Sequence, residues 1–535
     1  MTNKLAQMEG SQELTTLSID NLIKNFPFEF RGNQSSILND IGKALTNPNI
    51  RFVVVQAPTG TGKSPLAIAA ARSVGSSYVM TPTKPLQDQY ARDFRQYFAD
   101  MRGRSNYACN EYAGNNCASA PCRTSPGLRQ KCGGCEYKTA LVNASEANIT
   151  LFNFAAALSF LNHTKNFQKR DLMIVDEAHM IEDQLTSFIE FSISLDRLRE
   201  FGVLRADQII PDLKEPAEYV EFLEGMVEIS DYIFNSSEDY AGPNAFEEFE
   251  AFHRKLKSII QEVLNHPGNL LMDKELDLQG NLKKLTFRPF KINRYASDYL
   301  FKYTDKVILL SATILNYSAF IRSLGISPSE SAWIDVPSTF PPENRPIIRK
   351  YVAPLNFKNL REMTPKIAKK ISDIMDTHAA EKGIIHTSSY VLAQEIFDQL
   401  PGRHKNRVLF PKSAKEQADF LEEHSLSKDP TVLLSPSMAE GIDLKDDLSR
   451  FQVITKIPYP STQDKVIQAR MNADREWYGY RTCLKVIQSY GRSVRSETDR
   501  AITYVLDGKF DDLLADNYRT LPKWFLEAIS AKVIP

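Results

Sequence analysis

Apolar and polar positions divide this chain into two kinds of segment. Five short runs, at residues 52–55, 172–175, 307–310, 432–434 and 502–506, are apolar with almost no interruption. A half-exposed strand alternates, so continuous runs of this length predict strands buried on both faces, as in a parallel sheet covered by helices. Between residues 181 and 290 the period changes: Phe249, Phe252, Leu256, Ile259, Ile260 and Val263 fall on one face of a helix. That stripe predicts a mainly helical insertion whose apolar face is internal packing. Residues 334–346, IDVPSTFPPENRP, are polar and proline-rich, which predicts a linker ahead of a second α/β unit.

A chain of 535 residues has room for several cores. Sixty-five basic residues balance sixty-six acidic ones, so any attraction to a polyanion has to be local. No run reaches the roughly 18 apolar residues that span a bilayer, and the first twenty residues carry no apolar signal region. A cytoplasmic chain with no membrane partner is expected.

The first apolar run leads into APTGTGKS and then an alanine-rich helical segment. Glycines let backbone N–H groups approach phosphates, and the helix that follows points its positive end at them. Thr59, Gly60, Thr61 and Gly62 form the turn, Lys63 is placed to reach the β- and γ-phosphates, and the Ser64 hydroxyl to ligate Mg²⁺. Ala57 stands where the general pattern has its first glycine. The second run ends in Asp176-Glu177-Ala178-His179. Ligands of parallel sheets gather at the carboxyl ends of strands, which suits Asp176 to the Mg²⁺ shell and Glu177 to the attacking water.

The later runs open on further polar loops. Ser311 and Thr313 follow the third; Gly441 and Asp443 follow the fourth; Gln488, Gly491, Arg492 and Arg495 precede the fifth. Arg492 and Arg495 are three apart, so a helix puts both guanidinium groups on one face, where they can spread over developing phosphate charge.

Five of the six cysteines crowd into residues 109–135, with seven, four, nine and two residues between successive thiols. Four thiolates satisfy either a tetrahedral Zn²⁺ ion or a 4Fe-4S cluster, and spacing does not choose between them. The sixth, Cys483, lies in a helical segment and reads as a buried structural thiol. Arg102, Arg104, Arg123, Arg129 and Lys131 give the same stretch a local positive charge suited to phosphates.

In order, APTGTGKS, YVMTPTKPLQDQY, DEAH, SAT, EGIDL and QSYGRSVRS resemble motifs I, Ia, II, III, V and VI of a superfamily 2 helicase, and GIIHTSSY resembles motif IV. FRGNQ, with Arg31 and Gln34, resembles the adenine-side element of that family. A cysteine-rich insertion between motifs Ia and II narrows the resemblance to the iron-sulfur helicases related to DinG and to the xeroderma pigmentosum group D helicase. The resemblance implies two RecA-like P-loop motor domains with parallel sheets. The first would occupy residues 1–105, 140–180 and 291–335, interrupted by an iron-sulfur insertion at 106–139 and a helical arch at 181–290; the second would run from 345 to 535. It implies ATP, Mg²⁺ and a 4Fe-4S cluster on Cys109, Cys117, Cys122 and Cys135, with Cys132 as the alternative ligand and Zn²⁺ as the alternative metal. It places Thr81, Thr83, Thr387 and Ser388 against a DNA backbone, with Gly441 and Asp443 on the nucleotide side. The implied activity is ATP-dependent, 5′ to 3′ movement on single-stranded DNA, unwinding duplex or forked DNA with the cluster domain as a wedge, in the company of repair or replication proteins. An ATP-switched translocase that does not separate strands shares all of these motifs.

Overall fold

The structure is a computed structural model describing residues 17–123, 134–205, 216–236, 243–266, 268–277, 282–436, 444–494 and 498–530. Cys132, Gly441, Asp443, Arg495, Arg129 and Lys131 lie outside the described residues.

Two parallel sheets carry the α/β architecture. The first is seven-stranded: β1 (Phe52–Gln56), β2 (Ser77–Thr81), β3 (Ala99–Asp100), β4 (Ile149–Asn153), β5 (Arg170–Val175), β9 (Thr304–Ser311) and β10 (Ser331–Asp335), in the order β10-β1-β9-β5-β2-β4-β3. Every residue of β1, β2 and β4 is buried, which is why their sequences do not alternate. In register, Gln56 pairs with Ser311 across β1 and β9, and Val175 with Leu309 across β5 and β9. The carboxyl ends of β1, β9 and β5 therefore emerge side by side, followed along the same rim by β2 and β4. The second sheet is six-stranded, in the order β11-β16-β15-β12-β14-β13, from β11 (Ile347–Ala353), β12 (Gly383–His386), β13 (Val408–Leu409), β14 (Val432–Ser435), β15 (Phe451–Ile454) and β16 (Ile502–Asp507).

The segment at 181–290 contains the helices Pro216–Ser236 and Pro243–Asn265, and the stripe seen in the sequence packs inward: Phe249, Leu256, Ile259 and Ile260 are buried in one core. It also contains a small antiparallel sheet absent from the sequence reading, β6 (Phe191–Ser194), β8 (Leu282–Pro289) and β7 (Leu270–Leu276) in that order. Its signal is the alternation of Leu285 and Phe287, which face the core while Lys284 and Thr286 do not. No helix among the described residues is long and apolar enough to cross a membrane.

The second lobe contains a buried acid sensor. His424, on the helix Ala414–Leu426, is fully buried; its Nε2 lies 2.8 Å from the Leu448 carbonyl and its Nδ1 2.8 Å from the Thr431 hydroxyl. A carbonyl only accepts, so Nε2 carries the proton and Nδ1 accepts from Thr431. Burial, reinforced by the charge of Lys382, pulls its pKa down to about 4. Between pH 4 and about 6.5 the unfolded chain binds a proton there that the folded chain excludes. This contribution to stability is full above about 6.5 and is lost on acidification toward 4. In His424→Gln, the dependence of unfolding free energy on pH should become shallower by one proton, ~1.4 kcal/mol per pH unit, measured by urea unfolding at pH 5 and pH 7.

Candidate active site

The phosphate loop leaves β1 and enters the helix Lys63–Arg72 through Gly62, whose φ of 84° is left-handed. A Cβ on Gly62 would stand 2.3 Å from the Gln34 amide nitrogen, so a side chain here would strain the backbone and displace the Gln34 amide. Gln34 ties the adenine-side element to the loop: its amide donates to the Thr61 carbonyl at 3.0 Å and its oxygen accepts from the Arg31 N–H at 2.8 Å. The Lys63 ammonium donates to the Ala57 carbonyl at 3.4 Å, folded over the loop it would leave for a phosphate.

Asp176 and Glu177 follow β5. Asp176 is buried, and each of its oxygens accepts one hydrogen bond: Oδ1 from the Glu177 N–H at 2.9 Å and Oδ2 from the Tyr90 phenol at 2.7 Å. Burial and the adjacent Glu177 charge push its carboxyl up to about 6, against the pull of Lys63. Ser64 stands beside the same Tyr90 hydroxyl, so the two oxygens assigned to Mg²⁺ share one neighbour. Glu177 takes a left-handed φ of 51°, a conformation seldom adopted outside glycine, and its carboxylate lies 3.4 Å from His179 Nδ1. His179 is buried, 2.7 Å from the Ser311 hydroxyl and 3.5 Å from that of Thr313, and burial lowers its pKa to about 4. The acidic loop after β5 is thereby bonded to the hydroxyl loop after β9.

Gln56, at the end of β1, was not singled out from the sequence. Its amide donates to Asp335 at 2.9 Å and its oxygen accepts from the N–H groups of Ile314 and Leu315, closing the rim across β10, β1 and β9.

The second lobe faces this rim with the helix Arg475–Tyr490, which holds Gln488 buried near its end and leads to Arg492. The Arg492 charge depresses the pKa of both His179 in the first lobe and His386 in the second, so it stands between the lobes. The seam is clasped just past the acidic pair. Arg481 grips Asp183 at 2.6 Å to each oxygen, while Arg470 and the Trp477 indole both donate to Glu182, at 2.8 and 2.9 Å. Arg322 of the first lobe reaches back to Asp474 and Glu476.

Of the residues assigned to a nucleic-acid backbone, Ser388 is exposed, whereas Thr81 is fully buried, its hydroxyl 3.4 Å from the carbonyls of Thr83 and Phe152. Thr83 caps the helix Lys84–Phe94, accepting from the Leu86 N–H, and Thr387 is buried with its hydroxyl on the Ser389 carbonyl. Thr81 and Thr387 therefore shape the rim from within, while Thr83 is half-buried.

Cys109, Cys117, Cys122 and Cys135 line one small cavity together with Asn110, Glu111 and Ala120. A short loop brings the first two together: the Cys109 N–H donates to the Asn115 carbonyl and the Cys117 N–H to that of Tyr107. Cys135 begins the helix Glu136–Glu146, and its sulfur is 4.0 Å from that of Cys117. Burial, then the neighbouring Cys135, raises the Cys117 thiol to about 12. Among the described residues no group of three or more metal-binding side chains is arranged to hold a metal ion. The insertion is rooted in the first lobe, with Cys117 and Tyr137 in its core and Tyr107 and Cys135 packed against them. The Arg102 guanidinium is held by Asp88 and Asp100, at 2.5 and 2.8 Å, and so braces this root instead of forming an open phosphate surface. Arg104 lies 5.1 Å over the Tyr137 ring.

Comparison with known proteins agrees with this geometry. Residues 371–528 match the family described as helicase C-terminal domain, and residues 27–201 match the type III restriction enzyme res subunit family. The ATP-dependent DNA helicase YoaA of Escherichia coli (strain K12) is 20% identical over 581 residues, covering 85% of this chain and 88% of the relative. The ATP-dependent DNA helicase DinG of Photobacterium profundum is 26% identical over 238 residues, 41% of this chain and 34% of the relative. A solved structure of XPD in its apo form covers 90% of this chain and 98% of its own, at 14% identity and a TM-score of 0.57, which speaks for the fold. With two parallel-sheet lobes meeting at a phosphate loop, and with relatives matching along most of its length, the chain is similar to the ATP-dependent DNA helicases of the DinG/XPD family.

Proposed function

We propose that this chain moves 5′ to 3′ along single-stranded DNA and separates a forked duplex, with the cysteine insertion as a metal-braced wedge. The observation that carries the reading is the seam: Lys63, Ser64, Asp176 and Glu177 lie on one lobe, and the helix bearing Gln488 and leading to Arg492 closes on them from the other. Gln34 and Arg31 would hold the adenine side, and Lys63 with the loop N–H groups would hold the β- and γ-phosphates. Ser64 and Asp176 would hold Mg²⁺, which when bound neutralises phosphate charge. Glu177 orients the water and accepts its proton, while Arg492 faces the charge that develops on the transferred phosphoryl group. Arg495, Gly441 and Asp443 complete the second bank in this reading. Once the γ-phosphate leaves, no shared negative group draws Lys63 and Arg492 together, and the cleft opens while the Glu182 and Asp183 clasp holds.

By residue type the four cysteines that line the cavity suit a metal–thiolate group, although among the described residues no three side chains are arranged to hold an ion. The family resemblance supports a 4Fe-4S cluster over Zn²⁺, and held there it would stiffen the segment above its root. A broad absorbance band near ~400 nm in anaerobically purified protein distinguishes the cluster from colourless zinc.

The direct test is a forked duplex with one labelled strand. Release of that strand, dependent on ATP and on a 5′ single-stranded tail, is expected. DNA-stimulated phosphate release without strand release would make the chain a translocase that does not unwind, and turnover indifferent to DNA would remove nucleic acid from the account.

A further inference from the structure

One buried hydroxyl joins two regions that the motifs treat separately. Tyr90 lies on the helix Lys84–Phe94, which follows β2 on the rim assigned to DNA, yet its phenol donates to Oδ2 of Asp176 at 2.7 Å and adjoins Ser64. The ring is fully buried and packs against Phe94, so it has no other place to go. One turn earlier on the same helix face, Gln87 is also fully buried. Its amide donates to Asp100 at 2.6 Å and its oxygen accepts from Asn153, at the end of β4, at 2.8 Å. Asp100 in turn holds Arg102 at the root of the cysteine insertion, and Arg102 returns to Asp88 on the helix. Successive turns of one helix thus contact the carboxylate assigned to Mg²⁺, through Tyr90, and the platform beneath the insertion, through Gln87.

We propose that Tyr90 is a positioning residue that fixes the Asp176 carboxylate for Mg²⁺, and that the helix Lys84–Phe94 makes this fixing respond to DNA bound along the β2–β4 rim. The inference rests on the reading of Asp176 as metal-holding. Each carboxylate oxygen has two acceptor directions. Tyr90 takes one on Oδ2 and the Glu177 N–H one on Oδ1, which fixes the rotation of the group and leaves the remaining lone pairs for Lys63, Ser64 and an ion. Any displacement of the helix by a strand lying on Thr83 moves the phenol, and with it the carboxylate plane. Linkage makes the coupling reciprocal: DNA that tightens Mg²⁺-nucleotide binding is itself bound more tightly when Mg²⁺-nucleotide is present.

The test measures binding without turnover. Mg²⁺ is titrated against a fluorescent, non-hydrolysable ATP analogue on the full chain, with and without a single-stranded oligonucleotide. In the wild-type protein the oligonucleotide should lower the half-saturating Mg²⁺ concentration. In Tyr90→Phe, which keeps the ring and removes only the donor, that concentration should rise about tenfold and cease to respond to the oligonucleotide. A purely structural role for the hydroxyl would lower the melting temperature and leave the Mg²⁺ dependence where it was, and that result overturns the proposal. Asp100→Asn leaves the phenol in place and loosens the turn that bears Gln87. It should keep the wild-type Mg²⁺ dependence and lose the oligonucleotide effect, and a retained effect overturns the transmission. Wild-type protein that binds the analogue with no Mg²⁺ dependence overturns this inference and the site reading together. An intact wild-type dependence with an unchanged Tyr90→Phe overturns only this inference.

Discussion

Lys63→Ala should reduce ATP turnover by about three orders of magnitude, with DNA stimulation lost, because it removes two interactions at once. The first is the ammonium that would meet the β- and γ-phosphates. The second is already visible without nucleotide: Lys63 is the charge that opposes the rise of the Asp176 carboxyl, which burial and Glu177 have pushed up to about 6. Without that lysine the carboxyl rises further, so at neutral pH a larger fraction is protonated and unfit to hold Mg²⁺. The backbone should be untouched. The turn is set by the left-handed φ of Gly62, by Gln34 on the Thr61 carbonyl and by the Thr61 hydroxyl on the Pro58 carbonyl, none of which uses the lysine side chain. Steady-state phosphate release with and without single-stranded DNA, beside a thermal unfolding curve, checks both statements. Turnover within tenfold of wild type would remove the phosphate loop from the chemistry.

The central strands were legible because burial on both faces leaves a local mark. β1, β5, β9 and β14 are continuous apolar runs, and the chemistry-bearing loops begin where those runs stop. The edge strands β3 and β13 are two residues long and carry no period at all. The β6–β8–β7 sheet was overshadowed by the stronger helical stripe beside it, although Leu285 and Phe287 do alternate. The site divides the same way. Phosphate-loop and acid-pair residues announce themselves by type and spacing, whereas Tyr90 sits in a helix whose sequence suggests only an amphipathic face. The seam clasp is less legible still: Glu182 and Asp183 meet Arg470, Trp477 and Arg481 nearly three hundred positions away, and no local pattern records a pair at that separation. Glu182 and Asp183 belong to the helix Ile181–Ile189, which directly follows the Asp176–His179 loop, and their partners ride on the helices that lead to Arg492. The lobes are thus joined next to the Asp176–His179 loop.

Cys117→Ser should abolish strand separation while leaving DNA-stimulated ATP turnover within a few-fold of wild type. The two activities depend on different parts of the first lobe. The phosphate loop and acid pair stand at the ends of β1, which is buried throughout, and of β5, whose last four residues are buried, and both lie outside the insertion. Among its described residues the insertion is anchored at its root through Tyr107, Tyr137, Arg102 and the Cys117 side chain itself, which is 8% exposed and shares the lobe's core. Serine keeps the loop's N–H bond to the Tyr107 carbonyl but offers a poor ligand in place of a thiolate, so the coordination proposed for the cavity would fail while the polypeptide path survives. A segment without its cross-link yields when a duplex is driven against it. Metal content, the band near ~400 nm, phosphate release and fork unwinding on one preparation resolve the causes. Cys483→Ser, in the second lobe's helix and remote from the cavity, should retain both metal and unwinding. Cys132→Ser decides whether the fifth clustered thiol is a ligand, since loss of metal there would displace one of the four that line the cavity. Unwinding at the wild-type rate by Cys117→Ser protein shown to be metal-free would mean that the insertion separates strands by its fold alone, and the brace would then have no part in the work.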